Sequence, residues 1–232
     1  MAPLDYRNKI VLAPMVRIGE LPTRLLALKY GADLVWGPET IDRAILGCTR
    51  QINERTGCVE YIKSGKVIYR IHPSEQGRLV YQMGSANPEL AVQAAKLVAG
   101  DVAGIDLNCG CPKHFSIHAG MGAALLKDIP RLETILRALV EEVGKVYNIG
   151  ISCKIRLLAT DEETHDMVRR LCRTGIVGLT VLSYRDRSDA GTLSNNSHEE
   201  YGESVIGKNT RCGASVSRRR HSVPRERRRA KL

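Results

Sequence analysis

The chain has 232 residues, of which 43% are hydrophobic, so it is long enough to bury the core of one sizeable domain. No window approaches the roughly 20 consecutive apolar residues of a membrane helix, and residues 1–9 lack the apolar stretch of a secretory signal. The formal charge of +10 comes almost entirely from residues 205–232, which hold ten basic residues and one acid. We therefore expect a soluble, cytoplasmic protein with a nearly neutral body and no membrane partner.

Short apolar strands alternate with helical patterns along residues 9–182. Strands are predicted near 10–13, 33–36, 79–83, 104–108, 151–155 and 177–181. Helices are predicted over 21–31, 38–47, 85–100, around 121–126, 129–146 and 161–175, with an inserted hairpin over 58–71. This alternation is typical of parallel strands joined by crossover helices.

Two α/β folds have this pattern, the open doubly wound sheet and the TIM (β/α)8 barrel. No G-x-G-x-x-G segment follows the first strand, which disfavours the dinucleotide-binding version of the open sheet. Polar residues instead follow the carboxyl ends of several strands, as in the active site of a barrel. The residues at these strand ends, a set rich in hydrogen-bond donors, are Pro14, Met15, Arg17, Glu39, Gln82, Met83, Gly84, Asn108, Cys111, Pro112, Lys113, Lys154 and Arg156. The sequence therefore favours a barrel.

The alternating pattern stops after Leu182. Residues 183–232 contain one short apolar pair, Val205-Ile206, and no helical or strand periodicity. Such a segment buries too little apolar surface to offset the entropy of ordering it. We therefore predict a folded unit over 1–182, apparently a barrel truncated after about six strands, and a disordered basic tail over 183–232.

Cys109-Gly110-Cys111 follows a buried strand and has four interpretations. The pair could belong to a plain turn, to a metal site, to a disulfide, or to a site with a reactive thiol. One C-x-C without a second ligand pair disfavours a metal. The seven cysteines show no disulfide framework, which indicates reduced thiols. A reactive thiol fits the nearby Lys113 and the helix that follows.

Lys154 and Gln82 each allow a structural and a functional interpretation. A strand lysine is usually solvated at a sheet edge, but the apolar neighbours of Lys154 indicate a central strand. At the end of such a strand it could hold an anionic ligand. Gln82 could cap the next helix or contact the same ligand. Their shared position at strand ends favours the ligand.

Four segments of the chain resemble the tRNA-dihydrouridine synthases. They are "LAPMVRIGELPTRLLALKYGADLVWGPE", "VYQMG", "AGIDLNCGCPKHFSIHAGMGAALL" and "CKIRLL". The resemblance covers about residues 8–182, and its N-x-G-C-P-K segment followed by G-x-G-A-x-L-L is highly specific. It is greatest to the eukaryotic cytoplasmic branch that acts on uridine-20 of the D-loop.

The resemblance implies a flavin-dependent TIM barrel that reduces a tRNA uridine to 5,6-dihydrouridine. FMN would deliver hydride to C6 and NADPH would reduce the flavin. Cys111 would give the proton to C5, a role suited to a thiol, which is largely protonated at neutral pH. The implied cofactor-binding residues are Pro14, Met15, Gln82 and Lys154, and the implied substrate contacts are Asn108, Lys113 and Arg156. No metal is implied.

The chain departs from the family after the sixth strand. Leu182 stands where the family has a histidine, and strands seven and eight, with their phosphate-binding turns, have no counterpart in residues 183–232. Barrels of this kind commonly bind phosphate through the loops after those strands. The resemblance therefore leads us to expect weak FMN binding and low activity from this chain.

Two other functions fit the same sequence. One is an FMN barrel that reduces a small molecule such as a pyrimidine or an enone. The other is a non-catalytic RNA-binding fragment that acts through its tail, since the arginine runs 218–220 and 227–229 would bind phosphate in a salt-sensitive way. Stoichiometric copurification of tRNA would disfavour the small-molecule reductase.

Overall fold

The computed structural model describes residues 4–182 and 203–207. Its strands are β1 (Val11–Leu12), β2 (Leu34–Trp36), β3 (Thr40–Ile41), β4 (Thr49–Ile52), β5 (Val59–Lys63), β6 (Lys66–Ile71), β7 (Leu79–Gly84), β8 (Gly104–Cys109), β9 (Gly150–Arg156), β10 (Gly178–Leu182) and β11 (Glu203–Gly207). Its α-helices are α1 (Leu21–Lys29), α2 (Asp42–Ile45), α3 (Pro88–Val98), α4 (His114–His118), α5 (Ile129–Leu139), α6 (Lys145–Tyr147) and α7 (Asp161–Cys172). None of the helices in this part of the chain has the length and apolar content needed to cross a membrane.

The main sheet has the strand order β1-β2-β7-β8-β9-β10-β11, and β3 pairs with the carboxyl end of β7. Every pairing from β1 to β10 is parallel, with helices in the connections. The six strands predicted over residues 10–181 are all present, in the sequential order of a (β/α) barrel. All of their carboxyl ends therefore lie at one edge of the sheet.

The inserted segment is a three-stranded antiparallel sheet, not a simple hairpin. The predicted hairpin is formed by β5 and β6, and Ser64 and Gly65 at its turn have φ of 51° and 73°. Two consecutive positive φ values match the twist of a tight hairpin. β4 pairs with β5 on the other side, and the sequence analysis missed this strand because its residues are exposed and mostly polar.

Most helices begin where their capping residues predict. The Asn87 side chain accepts a hydrogen bond from the Leu90 N–H at the start of α3, and Thr160 and Glu163 form a capping box at α7. The helix predicted from Pro38 is wrong at its start. Thr40–Ile41 pairs with β7, and α2 has only the four residues Asp42–Ile45. A 3-10 helix replaces the α-helix predicted around residues 121–126.

Alternate residues of the central strands face two different cores. On the outer face, a continuous apolar cluster packs the strands against α3, α5 and α7. On the inner face, a smaller cluster forms from Tyr6, Leu34, Trp36 and Val80. Glycines at the starts of β8, β9 and β10 leave room for the chain's N-terminal segment: an added Cβ at Gly178 would lie 2.6 Å from the Tyr6 ring. This segment fills the inner face at the amino end of β8, β9 and β10.

The edge of the sheet beyond β10 is covered by β11. This strand pairs antiparallel with β10, from Gly178 opposite Gly207 to Leu182 opposite Glu203. The expectation of a tail without strands is therefore wrong over Glu203–Gly207. A closed barrel has its seventh parallel strand at this place. Residues 183–202 and 208–232, with both arginine runs, lie outside the described residues, so the predicted disorder there stays a prediction.

Candidate active site at the carboxyl edge of the sheet

The strand register brings three of the predicted site residues, Gln82, Asn108 and Lys154, into two neighbouring rows on the inner face. Gln82 lies beside Asp106, which lies beside Ser152. One step further toward the carboxyl edge, Asn108 lies beside Lys154. Gln82 and Asn108 are buried, and Lys154 is half-buried. Two carboxamide groups and one ammonium group thus lie on the same face of the sheet, at the carboxyl ends of β7, β8 and β9.

The end of β8 directs Cys109 and Cys111 to different environments. The Asn108 Oδ1 accepts a hydrogen bond of 3.0 Å from the Gly110 N–H, which turns the chain out of the strand. Cys109 is fully buried on the outer face, where its thiol forms a hydrogen bond with Cys153. This hydrogen bond, together with burial, raises the pKa of Cys153 well above its ordinary value. Cys111 is half-buried beyond the turn. The structure therefore separates an inert thiol from an accessible one.

The backbone of Cys111 is held by the segment that follows α4. Its carbonyl oxygen accepts a hydrogen bond of 2.9 Å from the Ala123 N–H. Gly122 has φ of 59°, and an added Cβ there would lie 2.6 Å from that carbonyl oxygen and 3.0 Å from the Cys111 Cβ. Only glycine combines this conformation with so close an approach. The glycine-rich motif therefore positions the thiol.

Lys113 and Arg156 lie at the rim of the same edge. Lys113 is exposed, and its carbonyl oxygen accepts hydrogen bonds from the Ser116 and Ile117 N–H groups at the start of α4. Arg156 is half-buried at the end of β9, and its Cγ would lie 3.3 Å from a Cβ added at Gly110. Both cations therefore flank the turn that carries Cys111.

Pro14 and Met15 follow β1 at the same edge, two strands away from Gln82. The Gly19 N–H donates to the Met15 carbonyl oxygen over 2.8 Å, and the buried Arg24 Nη1 donates to the Gly19 carbonyl oxygen over 2.9 Å. These two hydrogen bonds fix the turn after β1. The turn places Pro14 and Met15 at the same edge of the sheet as Gln82.

Glu39 belongs to the site although it was not among the predicted binding residues. It follows β2, and its Oε1 is buried without a hydrogen-bond partner in the described residues. Burial raises the pKa of Glu39, while the Asn108 amide and the charge of Lys113 act in the opposite direction. An added Cβ at Gly84 would lie 2.6 Å from Oε1, so β7 needs a glycine there. Its place directly after a buried strand was the available signal.

Asp106 is the second residue that the sequence analysis missed. It is fully buried, and burial raises its pKa from the ordinary 3.8 to about 6. Hydrogen bonds from Gln82 and Ser152, together with the Lys154 charge, limit the increase. The signal was its spacing: two residues before Asn108 in a strand, it must share the inner face with that residue.

We expect this pKa to make the stability of the protein depend on pH through Asp106. The folded state holds the Asp106 proton up to about pH 6, whereas the unfolded chain releases it near pH 3.8. The free energy of unfolding therefore falls by about 3 kcal/mol through this group as pH rises from 4 to above 6. Asp106→Asn lacks this contribution, so the stability of the wild type relative to the variant should fall by that amount.

Urea unfolding of both proteins at several pH values measures this difference. The other carboxyl groups titrate equally in both proteins and cancel. A difference that is constant from pH 4 to pH 7 would show that the Asp106 pKa is not raised.

One cavity of about 210 Å³ lies away from these residues. It is found at the amino end of the strands, between the inserted sheet and the α3–β8 turn. Its lining includes Val59, Ile71, His72, Asp101 and Val102. None of the predicted site residues lines it, so it is separate from the carboxyl-edge site. Among the described residues, no group of three or more His, Cys, Asp or Glu side chains could hold a metal ion.

Comparison with known proteins identifies relatives of the whole folded region. Residues 11–188 match the family described as dihydrouridine synthase (Dus). The match ends six residues after Leu182, where the resemblance noted in the sequence ends. Over 186 residues the chain is 63% identical to a Schizosaccharomyces pombe protein named tRNA-dihydrouridine(20) synthase, with NAD(P)+ in its name. A Saccharomyces cerevisiae protein of the same name is 53% identical over 186 residues.

A more distant S. pombe protein, named tRNA-dihydrouridine(20a/20b) synthase, is 27% identical over 186 residues. The aligned part is 78%, 77% and 80% of this chain for the three relatives in turn, and 39%, 48% and 52% of their own lengths. The chain thus spans about half the length of these relatives or less. The family match and the parallel sheet confirm the predicted family and the partial TIM-barrel fold.

Proposed function

The chain belongs to the dihydrouridine synthase family, and we propose from this that it reduces a tRNA uridine to 5,6-dihydrouridine, with uridine-20 of the D-loop as its target. The names of the two yeast relatives with 63% and 53% identity support this target. The observation that carries the proposal is the half-buried Cys111 at the carboxyl end of β8, beside the row of Asn108 and Lys154. A proton donor next to convergent polar groups suits the reduction of a polarised double bond.

FMN and NADPH are the proposed cofactor and reductant. A bound flavin supplies the hydride that goes to C6 of the uracil. The donor set of the site suits a flavin ring, because Lys154 can stabilise negative charge on the N1/O2 edge and Gln82 can bond to the imide part. Pro14 and Met15 would contact the ring from β1.

Cys111 acts as the general acid in this proposal. Its thiol gives a proton to C5 of the uracil, and solvent then returns a proton to the sulfur. The Ala123 N–H and Gly122 keep the Cys111 backbone in one place while this happens. Lys113 and Arg156 at the rim are the proposed contacts to the RNA phosphates.

The test is a reaction of the chain with FMN, NADPH and an unmodified tRNA transcript. Mass spectrometry should find the mass of two added hydrogens at uridine-20, and a transcript with cytidine at that position should stay unchanged. Oxidation of NADPH with uracil or an enone, without any change in tRNA, would favour the small-molecule reductase instead. A cytoplasmic location is also proposed, because the six described cysteines form no disulfide; cell fractionation tests it.

We predict that Lys154→Ala weakens flavin binding by about 10- to 100-fold. A charge-assisted hydrogen bond is worth about 1.5–3 kcal/mol, and each 1.4 kcal/mol is tenfold in affinity. Fluorescence titration with FMN measures the effect. Lys145→Ala is the matched control, since Lys145 is an exposed lysine paired with Glu141 on the helical segment before β9. Equal affinities of wild type and Lys154→Ala would mean that Lys154 is a structural residue.

A further inference from the structure

A buried carboxylate lies beside Gln82, one row below Asn108 and Lys154 of the proposed flavin site. Asp106 is fully buried on the inner face of β8, between Gln82 on β7 and Ser152 on β9. Replacing a buried ionisable group by a well-packed apolar one often costs no stability. A fully buried carboxylate beside one proposed binding residue and one row below two others therefore indicates a role in the site.

The groups around Asp106 are all hydrogen-bond donors. Gln82 Nε2 donates to Oδ2 over 2.9 Å, and Ser152 Oγ donates to Oδ1 over 2.7 Å. The Tyr6 hydroxyl donates in turn to Ser152 Oγ over 3.1 Å. An ionised carboxylate can only accept hydrogen bonds, so each of these donors has one possible orientation.

This network decides which end of the Gln82 amide is available to a ligand. The NH2 group is bound to Asp106, so Oε1 is directed away from the carboxylate. Within the described residues no donor reaches Oε1, and Oε1 is not among the fully buried atoms that lack a partner. The oxygen therefore contacts space that a ligand can enter, as an acceptor only.

We propose that Asp106 is a positioning residue that holds the Gln82 amide with its carbonyl oxygen toward the ligand, so that the site accepts a hydrogen bond from the imide N–H of a flavin ring. This inference rests on the proposed function, because it needs a flavin in the site. Without Asp106 the amide can turn over and present its NH2 group, and two donors would then face each other.

The test is a double-mutant cycle on flavin affinity with Asp106→Leu, which has no hydrogen-bonding group, Gln82→Met and the double variant. Riboflavin and FMN are both titrated by fluorescence quenching, since riboflavin has the ring without the phosphate. Each single variant should weaken riboflavin binding by about 10-fold, the value of one hydrogen bond. The double variant should be no weaker than Gln82→Met alone, because Asp106 acts through Gln82.

Tyr6→Phe is the matched control. It removes a buried hydrogen bond of the same network without touching Asp106 or Gln82, so its riboflavin affinity should stay within about twofold of the wild type. Losses that add in the double variant, or an equal loss in Tyr6→Phe, would overturn the inference and leave the proposed function intact. A wild-type chain that binds neither riboflavin nor FMN would overturn both.

A measurement on the wild type does not depend on the folding of Asp106→Leu. The side-chain NH2 signals of Gln82 in an NMR spectrum are identified by their loss in Gln82→Met. They should exchange with solvent at least about tenfold more slowly than those of the exposed Gln51, because a buried carboxylate holds them. Exchange as fast as that of Gln51 would overturn the inference.

Discussion

Replacing Cys111 by alanine should lower the rate of dihydrouridine formation by about 10²–10⁴-fold, the usual contribution of a positioned general acid. The thiol lies beyond the end of β8, half-buried, with its backbone fixed by the Ala123 N–H and by Gly122. No other described cysteine follows the carboxyl end of β8, so its loss should have no substitute. Mass spectrometry of the tRNA after a single turnover measures the product.

Cys109→Ala is the matched control, two residues away at the last position of β8. Cys109 faces the outer apolar core, and its thiol contacts Cys153, not the site. We expect a modest loss of stability, as for other small truncations in a core, and a rate close to that of the wild type. An equal fall in rate in both variants would contradict the assignment of Cys111 as the acid. Normal product formation by Cys111→Ala would do so as well.

Breaking the ion pair of Arg24 and Glu75 should lower the free energy of unfolding by about 3–5 kcal/mol, since removing one partner leaves the other charge buried and uncompensated. Arg24 Nε donates to Glu75 Oε1 over 2.6 Å, and both side chains are at most 1% exposed. Burial opposes the charge on Arg24, but the hydrogen bond and charge of Glu75 keep its pKa above the ordinary value. Urea unfolding of Arg24→Met measures the loss.

Two further variants separate this effect from simple loss of charge. Lys145→Met breaks an exposed pair with Glu141 and should change stability by less than about 1 kcal/mol. The double variant Arg24→Met with Glu75→Met should recover most of the loss, because no unpaired charge remains. A loss below about 1 kcal/mol in Arg24→Met would mean that water reaches Glu75.

The same variant should also disturb the proposed flavin site. Arg24 Nη1 holds the Gly19 carbonyl oxygen, and Gly19 holds the turn that carries Met15. Arg24 Nη2 donates to the Arg70 carbonyl oxygen of β6. Arg24 thus connects the inserted sheet to the turn after β1. Loss of Arg24 should therefore weaken flavin binding at the carboxyl edge as well as lower the stability of the fold.

The sequence by itself determined the strands of the main sheet and the candidates at their ends. Central parallel strands are buried on both faces, so they stand out as apolar runs such as 79–83 and 151–155. Polar residues directly after such runs must lie at one edge of the sheet, which made Asn108, Cys111 and Lys154 predictable. The specific N-x-G-C-P-K segment then indicated which of the two cysteines to propose as the acid.

Only the tertiary structure decided features that depend on partners distant in the chain. Thr40 and Ile41 extend because β7 offers them backbone hydrogen bonds, although local propensity favours a helix from Pro38. The exposed β4 and the short β11 were likewise predicted by no local pattern, since each is a strand only beside its neighbour. Asp106 had a visible place on the inner face, but its role depends on donors 24 and 46 residues away. Periodicity shows which face a residue lies on, whereas hydrogen-bond partners and burial depth are set by how the strands pack together.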